Sequence, residues 1–457
     1  MSEPHPPTTV VGAEVDGARA DIRFEEGRIT RIGPPSSTAG TQVVRADGGA
    51  LLPGLHDHHL HLLALAARDR SLDVGPAADD ADFDRRLRAR HRELPAGAWL
   101  RVVGYDESHG PLGPGRIDAL APGRPVRVQH RTGAAWMLSG AGAATTGVEP
   151  SADWRFRDDE HLGRAWADDD PPDLAAVSAR LAAYGVTGVT DATPFGGTEG
   201  FALLAAARAR GDLSQRIMVT GGPALADRPV PEGLDRGPVK VVVADHDLPD
   251  PDRLAGWFRA AHRAGRPVAV HCVTRVALVL ALAAWERAGS IDGDRIEHGS
   301  VVPLELVDAV ANLGVQVVTQ PGFVLAHGDR YLRTVEADDR PHLYRCGTLL
   351  DAGVAVAGST DAPFGPDDPW LGIRAATDRR TRAGALLGPD EAVPPRTALD
   401  SFLGPLRRPG GPPRTLEVGG PADLCLLDGP LDRVLADPSS RHVVATWIGG
   451  VPVHGST

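Results

Sequence analysis

The chain has 457 residues, of which 42% are hydrophobic, enough to bury a large core and too many for a disordered segment. Its formal net charge of −12 opposes binding to nucleic acid or to an anionic lipid surface, and no apolar run nears the ~20 residues needed to span a bilayer. The start Met1-Ser2-Glu3-Pro4-His5 lacks the basic and apolar stretches of a signal peptide, and Cys272, Cys346 and Cys425 are scattered and odd in number, so the expectation is a cytoplasmic protein without a disulfide scaffold.

The first fifty residues read as short strands. Ala20–Phe24 and Arg28–Ile32 alternate around the Glu25-Glu26-Gly27 turn. The last forty behave alike, with strands at Pro421–Leu427 and His442–Ile448 and a hairpin turn at Gly449-Gly450. Two β-rich ends predict one small, sandwich-like β domain built from both termini, residues 1–54 and 413–457.

Between them, apolar strands begin at Leu55, Thr187, Arg216, Val239, Pro267, Arg295, Val315 and Val354, and amphipathic helices run over Asp252–Ala264 and Pro303–Leu313. Repeated strand–helix units predict a parallel sheet, and eight of them predict an α/β fold of the closed (β/α)8, TIM-like type over residues 55–412. The gap between Leu55 and Thr187 is too long for one unit. It holds further strands at Trp99–Tyr105 and Pro125–His130, and reads as an insertion near 75–175 beside the barrel mouth.

The first barrel strand carries Asp57-His58-His59-Leu60-His61 between Leu51-Leu52 and Leu62-Leu63, so the motif is flanked by core-type residues. Alternation puts Asp57, His59 and His61 on one face and His56 and His58 on the other. Two histidines two apart on one face can reach a single ion at ~2.0–2.1 Å. Later strands end in similar residues: His271, then Glu297-His298, then Asp361. Each alone suits an ordinary strand end, but barrel sites gather at the C-terminal ends of the strands. Lys240, the chain's only lysine among 48 basic residues, lies in the apolar run Pro238–Val243. A buried lysine can lose its proton, which arginine cannot. The mixture of imidazole and carboxylate suits Zn²⁺, with Mn²⁺, Ni²⁺ and Fe²⁺ as alternatives.

The order Asp-x-His-x-His, Lys, His, His, Asp on successive strands resembles the amidohydrolase superfamily. The Gly420–Asp423 turn and the Thr446–Gly450 ending resemble that family's C-terminal β segment. Gly104–Glu107, Arg131–Trp136 and Gln320-Pro321 resemble the branch that includes N-substituted formamide deformylase. The resemblance implies two divalent metals. His59, His61 and Asp361 would bind one, and His271 and His298 the other. A carbamate formed from CO₂ on Lys240 would bridge them. It also implies that a bridging water yields hydroxide, with Asp361 as the base, and that a small-molecule amide, cyclic amide or N-acyl compound is cut.

Two departures bear on the substrate. Arg275 stands where that branch often has an acid, which points either to an anionic substrate group or to a surface salt bridge. Gly133-Ala134 replaces a common Gly-His, so that contact is either absent or supplied by His130 or Arg131. Tyr105, Asp106, Trp136, Phe323 and His327 are further candidates for the pocket wall, each equally suited to packing. Glu297 is expected to be structural, and His246, His262 and His442 ordinary surface or helix residues. Three alternatives stay open: an esterase or lactonase on the same ligands, a mononuclear deaminase, and an inactive binding barrel. The first acid after His271 is Glu286, farther than a deaminase's helix glutamate would stand. A homodimer is the default assembly.

Overall fold

A computed structural model describes residues 6–133, 135–146, 155–157, 173–245 and 247–455. The expectations resting on Met1–His5, Ala134 and His246 lie outside these residues, as do 147–154 and 158–172 of the expected insertion. The chain divides into two compact units, 1–61 with 174–457, and 62–173.

The larger unit is organised by eight parallel strands: β1 (Leu55–Leu60), β2 (Val186–Asp191), β3 (Arg216–Val219), β4 (Val239–Val242), β5 (Val268–Cys272), β6 (Arg295–His298), β7 (Gln316–Thr319) and β8 (Val356–Gly358). They form two sheets, one ordered β1-β2-β3 with the short Asp235–Arg236 strand at its edge, the other β4-β5-β6-β7-β8. Backbone hydrogen bonds bridge the seams between the sheets. Lys240 N donates to Gly221 O at 2.8 Å, and Asp361 N donates to His59 O at 2.8 Å. Strands β1, β3, β4 and β6 begin at the residues expected from sequence, and β8 begins two residues later than expected.

Most of these runs are rich in Val and Ile and largely buried, as parallel sheets require, whereas β1, LHDHHL, is buried but polar. Leu254, Phe258, Leu278, Leu282, Trp285, Val307 and Val310 on the returning helices pack against Val239, Val241, Val270, Ile296 and Val317. Asp250 starts the helix Pro251–Arg263 by accepting from Asp252 N and Arg253 N, and Thr274 starts Arg275–Ala288 by accepting from Ala277 N. Asp294 locks β5 and β6 from below. Its buried carboxylate accepts from Val268 N at 2.8 Å and Trp285 Nε1 at 2.9 Å, and pairs with His262 Nε2 at 3.1 Å. His262 is thus a partner of a buried acid rather than an ordinary helix residue. His442 pairs with the more exposed Asp428 at 2.9 Å.

The terminal strands of the same unit form two four-stranded sheets. One comprises Thr8–Val15, Ala18–Glu25, Arg28–Gly33 and Gln42–Arg45. The other joins Leu51–Pro53 to Leu424–Leu427, Val443–Ile448 and Val451–His454. Both sheets feed one core that includes Ile22, Phe24, Ile29, Leu424, Leu426 and Trp447. Phe24 and Trp447 meet edge to face at 5.8 Å. Gly449 (φ 56°) and Gly450 (φ 76°) supply the two left-handed residues that the tight hairpin between the last strands needs.

The unit 62–173 has its own five-stranded sheet, ordered Arg155–Arg157, Ala135–Leu138, Val126–His130, Leu100–Tyr105, Leu72–Asp73. Its core gathers Phe83, Leu87, Leu100, Val102, Tyr105, Ile117, Val126 and Val128. Among the described residues no helix is long and apolar enough to cross a membrane.

Candidate metal centre

The site begins with an irregularity in β1. Val189 pairs with Asp57 and Asp191 with Leu60, so β1 spends one more residue than β2 over that interval. Such a bulge re-aims side chains, yet His59 and His61 still converge on one side as alternation expects. Asp57 is turned to structure. It accepts from His59 N at 3.2 Å, from Thr360 N at 3.1 Å and from the Thr360 hydroxyl, tying the end of β8 to β1. Burial pushes its carboxyl up to about 7.

His59, His61 and Asp361 place one ligand atom each within 4.8 Å of one another. Asp361 Oδ1 lies 3.5 Å from His59 Nε2 and 3.2 Å from His61 Nε2. That oxygen is buried and has no hydrogen-bond partner among the described residues. The His298 ring stands 4.7 Å from His59 and 4.4 Å from His271, and His298 Nδ1 is 3.7 Å from Asp361 Oδ2. Lys240 is buried, with Nζ 3.4 Å from His59 Nε2. The structure therefore brings all six expected side chains into one neighbourhood.

Two backbone features aim the late residues. His298 (φ 71°) and Asp361 (φ 52°) both adopt the left-handed region at strand ends. Non-glycine residues rarely do so, and such strain gathers at functional sites. This turn also explains why adjacent Glu297 and His298 can both face the centre, where extended backbone would send them to opposite sides.

Three of the four imidazoles are held through Nδ1. His59 Nδ1 meets Glu297 Oε2, His61 Nδ1 meets Thr193 Oγ1 at 3.0 Å, and His298 Nδ1 meets Gln320 Oε1 at 2.9 Å. Sequence reasoning assigned none of these partners. Glu297 was expected to be structural, Thr193 had no signal, and Gln320 was visible only in the Gln320-Pro321 pair. Glu297 also accepts from Arg295 Nε at 2.6 Å, and both residues are buried. Burial would raise the Glu297 carboxyl, but Arg295 and Lys240 overcome it and hold the carboxyl below its ordinary range. Burial drives His59 and His298 well below the usual histidine value, and burial followed by Lys240 takes His271 down to about 3. Burial also lowers the Lys240 ammonium, against the opposing pull of Glu297 and Asp361.

These observations test the donor set against a divalent cation. Neutral imidazole is the ligand form. A carboxylate oxygen without a hydrogen-bond donor, set between two Nε2 atoms, needs a positive partner. The residues fit such an ion.

The remaining candidates separate by location. Phe323 is buried and meets His327 at 5.0 Å and Tyr344 at 5.5 Å between ring centroids. His327 Nε2 bonds Phe364 O at 2.9 Å, and Phe364 N donates to Asp361 O at 2.8 Å, so His327 braces the turn carrying Asp361. Phe364 stands edge-on to His61 at 5.6 Å. Arg275 is held by Glu305 at 2.8 Å and Asp339 at 2.7 Å, with 41% of its side chain exposed. Two carboxylates already neutralise it, which favours the salt bridge of the two alternatives.

Tyr105, Asp106, His130, Arg131 and Trp136 belong to the unit 62–173. Tyr105 is a core residue whose hydroxyl donates to Gly110 O at 2.8 Å. Asp106 caps the short turn Glu107–His109 and lies 3.5 Å from Arg131 Nε. His130 contacts Thr132 at 2.7 Å and Glu107 at 3.3 Å, and Arg127 lies over the Trp136 ring at 5.3 Å.

A model of the amidohydrolase family matches residues 42–454. The chain is 26% identical to the N-substituted formamide deformylase of Arthrobacter pascens, over 93% of each protein. It is 23% identical to the putative amidohydrolase YtcJ of Bacillus subtilis, over 92% of this chain and 91% of that protein. Among solved structures it resembles an uncharacterized metal-dependent hydrolase from Pyrococcus horikoshii, with a TM-score of 0.75 and 20% identity over 96% of this chain and 99% of that one. At that identity the likeness is one of fold, which is of the TIM-barrel hydrolase type.

Proposed function

Given that the chain belongs to the amidohydrolase family, we propose that it is a metal-dependent hydrolase cleaving a C–N bond in a small amide, cyclic amide or N-acyl compound. The convergence of His59 Nε2, His61 Nε2 and the partnerless Asp361 Oδ1 carries this reading. The name of the formamide deformylase relative supports a C–N bond over an ester. On this reading the two parallel sheets close as a (β/α)8 barrel across residues 55–412. The terminal sheets form one β-sandwich from residues 1–54 and 413–457, with an insertion following β1.

His59, His61 and Asp361 would hold one divalent ion, and His271 and His298 a second. Lys240 would carry a carbamate, formed as neutral Nζ adds to the carbon of CO₂ and releases one proton, whose oxygens would supply further ligand atoms. The burial of Lys240 favours the neutral amine this requires. Zn²⁺ suits the donors, with Mn²⁺, Ni²⁺ or Fe²⁺ as alternatives. Bound there, the ions would polarise the scissile carbonyl and acidify water. Asp361 takes the proton of the attacking water and returns it to the leaving nitrogen. Phe364 shields one edge of His61 with an apolar ring. The products are a carboxylate and an amine, or the ring-opened equivalent.

The test is a panel of N-formyl amines, other amides, cyclic imides, lactones and amino-substituted heterocycles offered to metal-replete protein. Hydrolysis of C–N members, lost on chelation and restored by Zn²⁺, is expected. Turnover confined to lactones or esters would favour the esterase reading, and ammonia released from a heterocycle the deaminase reading.

A further inference from the structure

We propose that Glu297 is a positioning residue for metal binding, whose carboxylate holds the His59 ring so that Nε2 faces the ion. The inference rests on the metal-hydrolase reading above and concerns a residue outside its proposed ligand set.

The argument is one of atoms. A neutral imidazole has one N–H and one lone pair, and an ionised carboxylate can only accept. Glu297 Oε2 against His59 Nδ1 therefore places the hydrogen on Nδ1. The lone pair is left on Nε2, the atom that stands 3.5 Å from Asp361 Oδ1. The two oxygens of Glu297 do separate jobs. Oε1 takes Arg295 Nε at 2.6 Å, and Oε2 is left for His59. Arg295 thus occupies the other oxygen without competing for the histidine.

The other held ligands differ in kind. His61 rests on the Thr193 hydroxyl and His298 on the Gln320 amide. Among these three contacts only that of His59 uses a carboxylate, the partner that most increases the basicity of a ligating imidazole.

The experiment measures Zn²⁺ affinity by competition with a chelating indicator, together with the thermal midpoint of the metal-free proteins. Wild type is compared with Arg295→Met, Arg295→Met/Glu297→Leu and Arg295→Met/Glu297→Gln. The double variants remove both members of the buried ion pair, so neither of its charges is left without the other. Arg295→Met should bind within about 3-fold of wild type. Replacing Glu297 by Leu in that background should weaken binding about 10–100-fold. Gln, which restores an acceptor at the same reach, should recover part of the loss.

Equal affinity for Arg295→Met with and without Glu297→Leu would overturn the proposal. So would an equal loss in Arg295→Met alone, which would assign the effect to the ion pair. A Leu double variant without a cooperative thermal transition would also overturn it, by making Glu297 a structural residue. Absence of Zn²⁺ binding by wild type would instead remove the metal reading, and the proposal with it.

Discussion

Replacing Asp361 by Asn separates chemistry from fold at the residue on which both depend. Asp361 sits at φ 52°, where its backbone N donates to His59 O and its backbone O accepts from Phe364 N, each at 2.8 Å. Asn tolerates that left-handed conformation, whereas Ala there costs about 1–2 kcal/mol. Asn is also isosteric, so the packing around β1 and β8 is kept. What it loses is the negative charge and the capacity to accept a proton at the oxygen lying 3.2 Å and 3.5 Å from His61 and His59 Nε2. Positioned general acid–base groups contribute about 10²–10⁴-fold in rate, which corresponds to about 2.7–5.4 kcal/mol at ~1.36 kcal/mol per decade. The assay is kcat/KM on the best substrate of the panel, with metal content and thermal midpoint measured on the same samples. Asp361→Asn should lose at least two decades at an unchanged midpoint, and Asp361→Ala should lose activity and stability together. An Asn variant that keeps kcat/KM within tenfold of wild type would refute the role given to Asp361.

Other substitutions probe other parts of the account. Lys240→Arg keeps a cation but cannot form a carbamate, so metal content should fall and activity drop by at least about 100-fold. Full metal content and full activity in that variant would end the carbamate proposal. Arg275→Ala removes two surface ion pairs and should cost no more than about 1 kcal/mol in chemical denaturation, with kcat/KM nearly unchanged. A large loss confined to anionic substrates would reinstate Arg275 as their anchor. Glu391 is buried and receives Arg345 Nη1, Cys346 N at 3.1 Å and Thr348 N at 3.0 Å. Glu391→Ala strands the buried Arg345 charge and should destabilise the protein by about 3–5 kcal/mol. A loss below about 1 kcal/mol would mean that the surroundings rehydrate or relax.

The strands were legible because apolar runs of β-branched residues leave little alternative, and β1, β3, β4 and β6 begin where sequence places them. The proposed ligands were legible because His271, His298 and Asp361 each stand at or just after the end of a strand. On β1 alternation held for His59 and His61, which converge with Asp361. At the later strand ends it did not: the left-handed His298 lets adjacent Glu297, expected on the opposite face, meet His59. Arg275 could not be resolved by reading neighbours, because its partners Glu305 and Asp339 lie 30 and 64 residues away along the chain. Thr193 bonds His61 from 132 residues away, and nothing in its local sequence marks it.

The central claim is that His59, His61, His271, His298, Asp361 and a modified Lys240 hold two divalent ions. The direct measurement is the metal content of protein stripped by chelator and reconstituted with Zn²⁺ and bicarbonate. The account predicts about two tightly held equivalents, as expected of a two-metal site, with activity returning in step with occupancy. A protein that retains no metal after reconstitution, or is active without any, would contradict it.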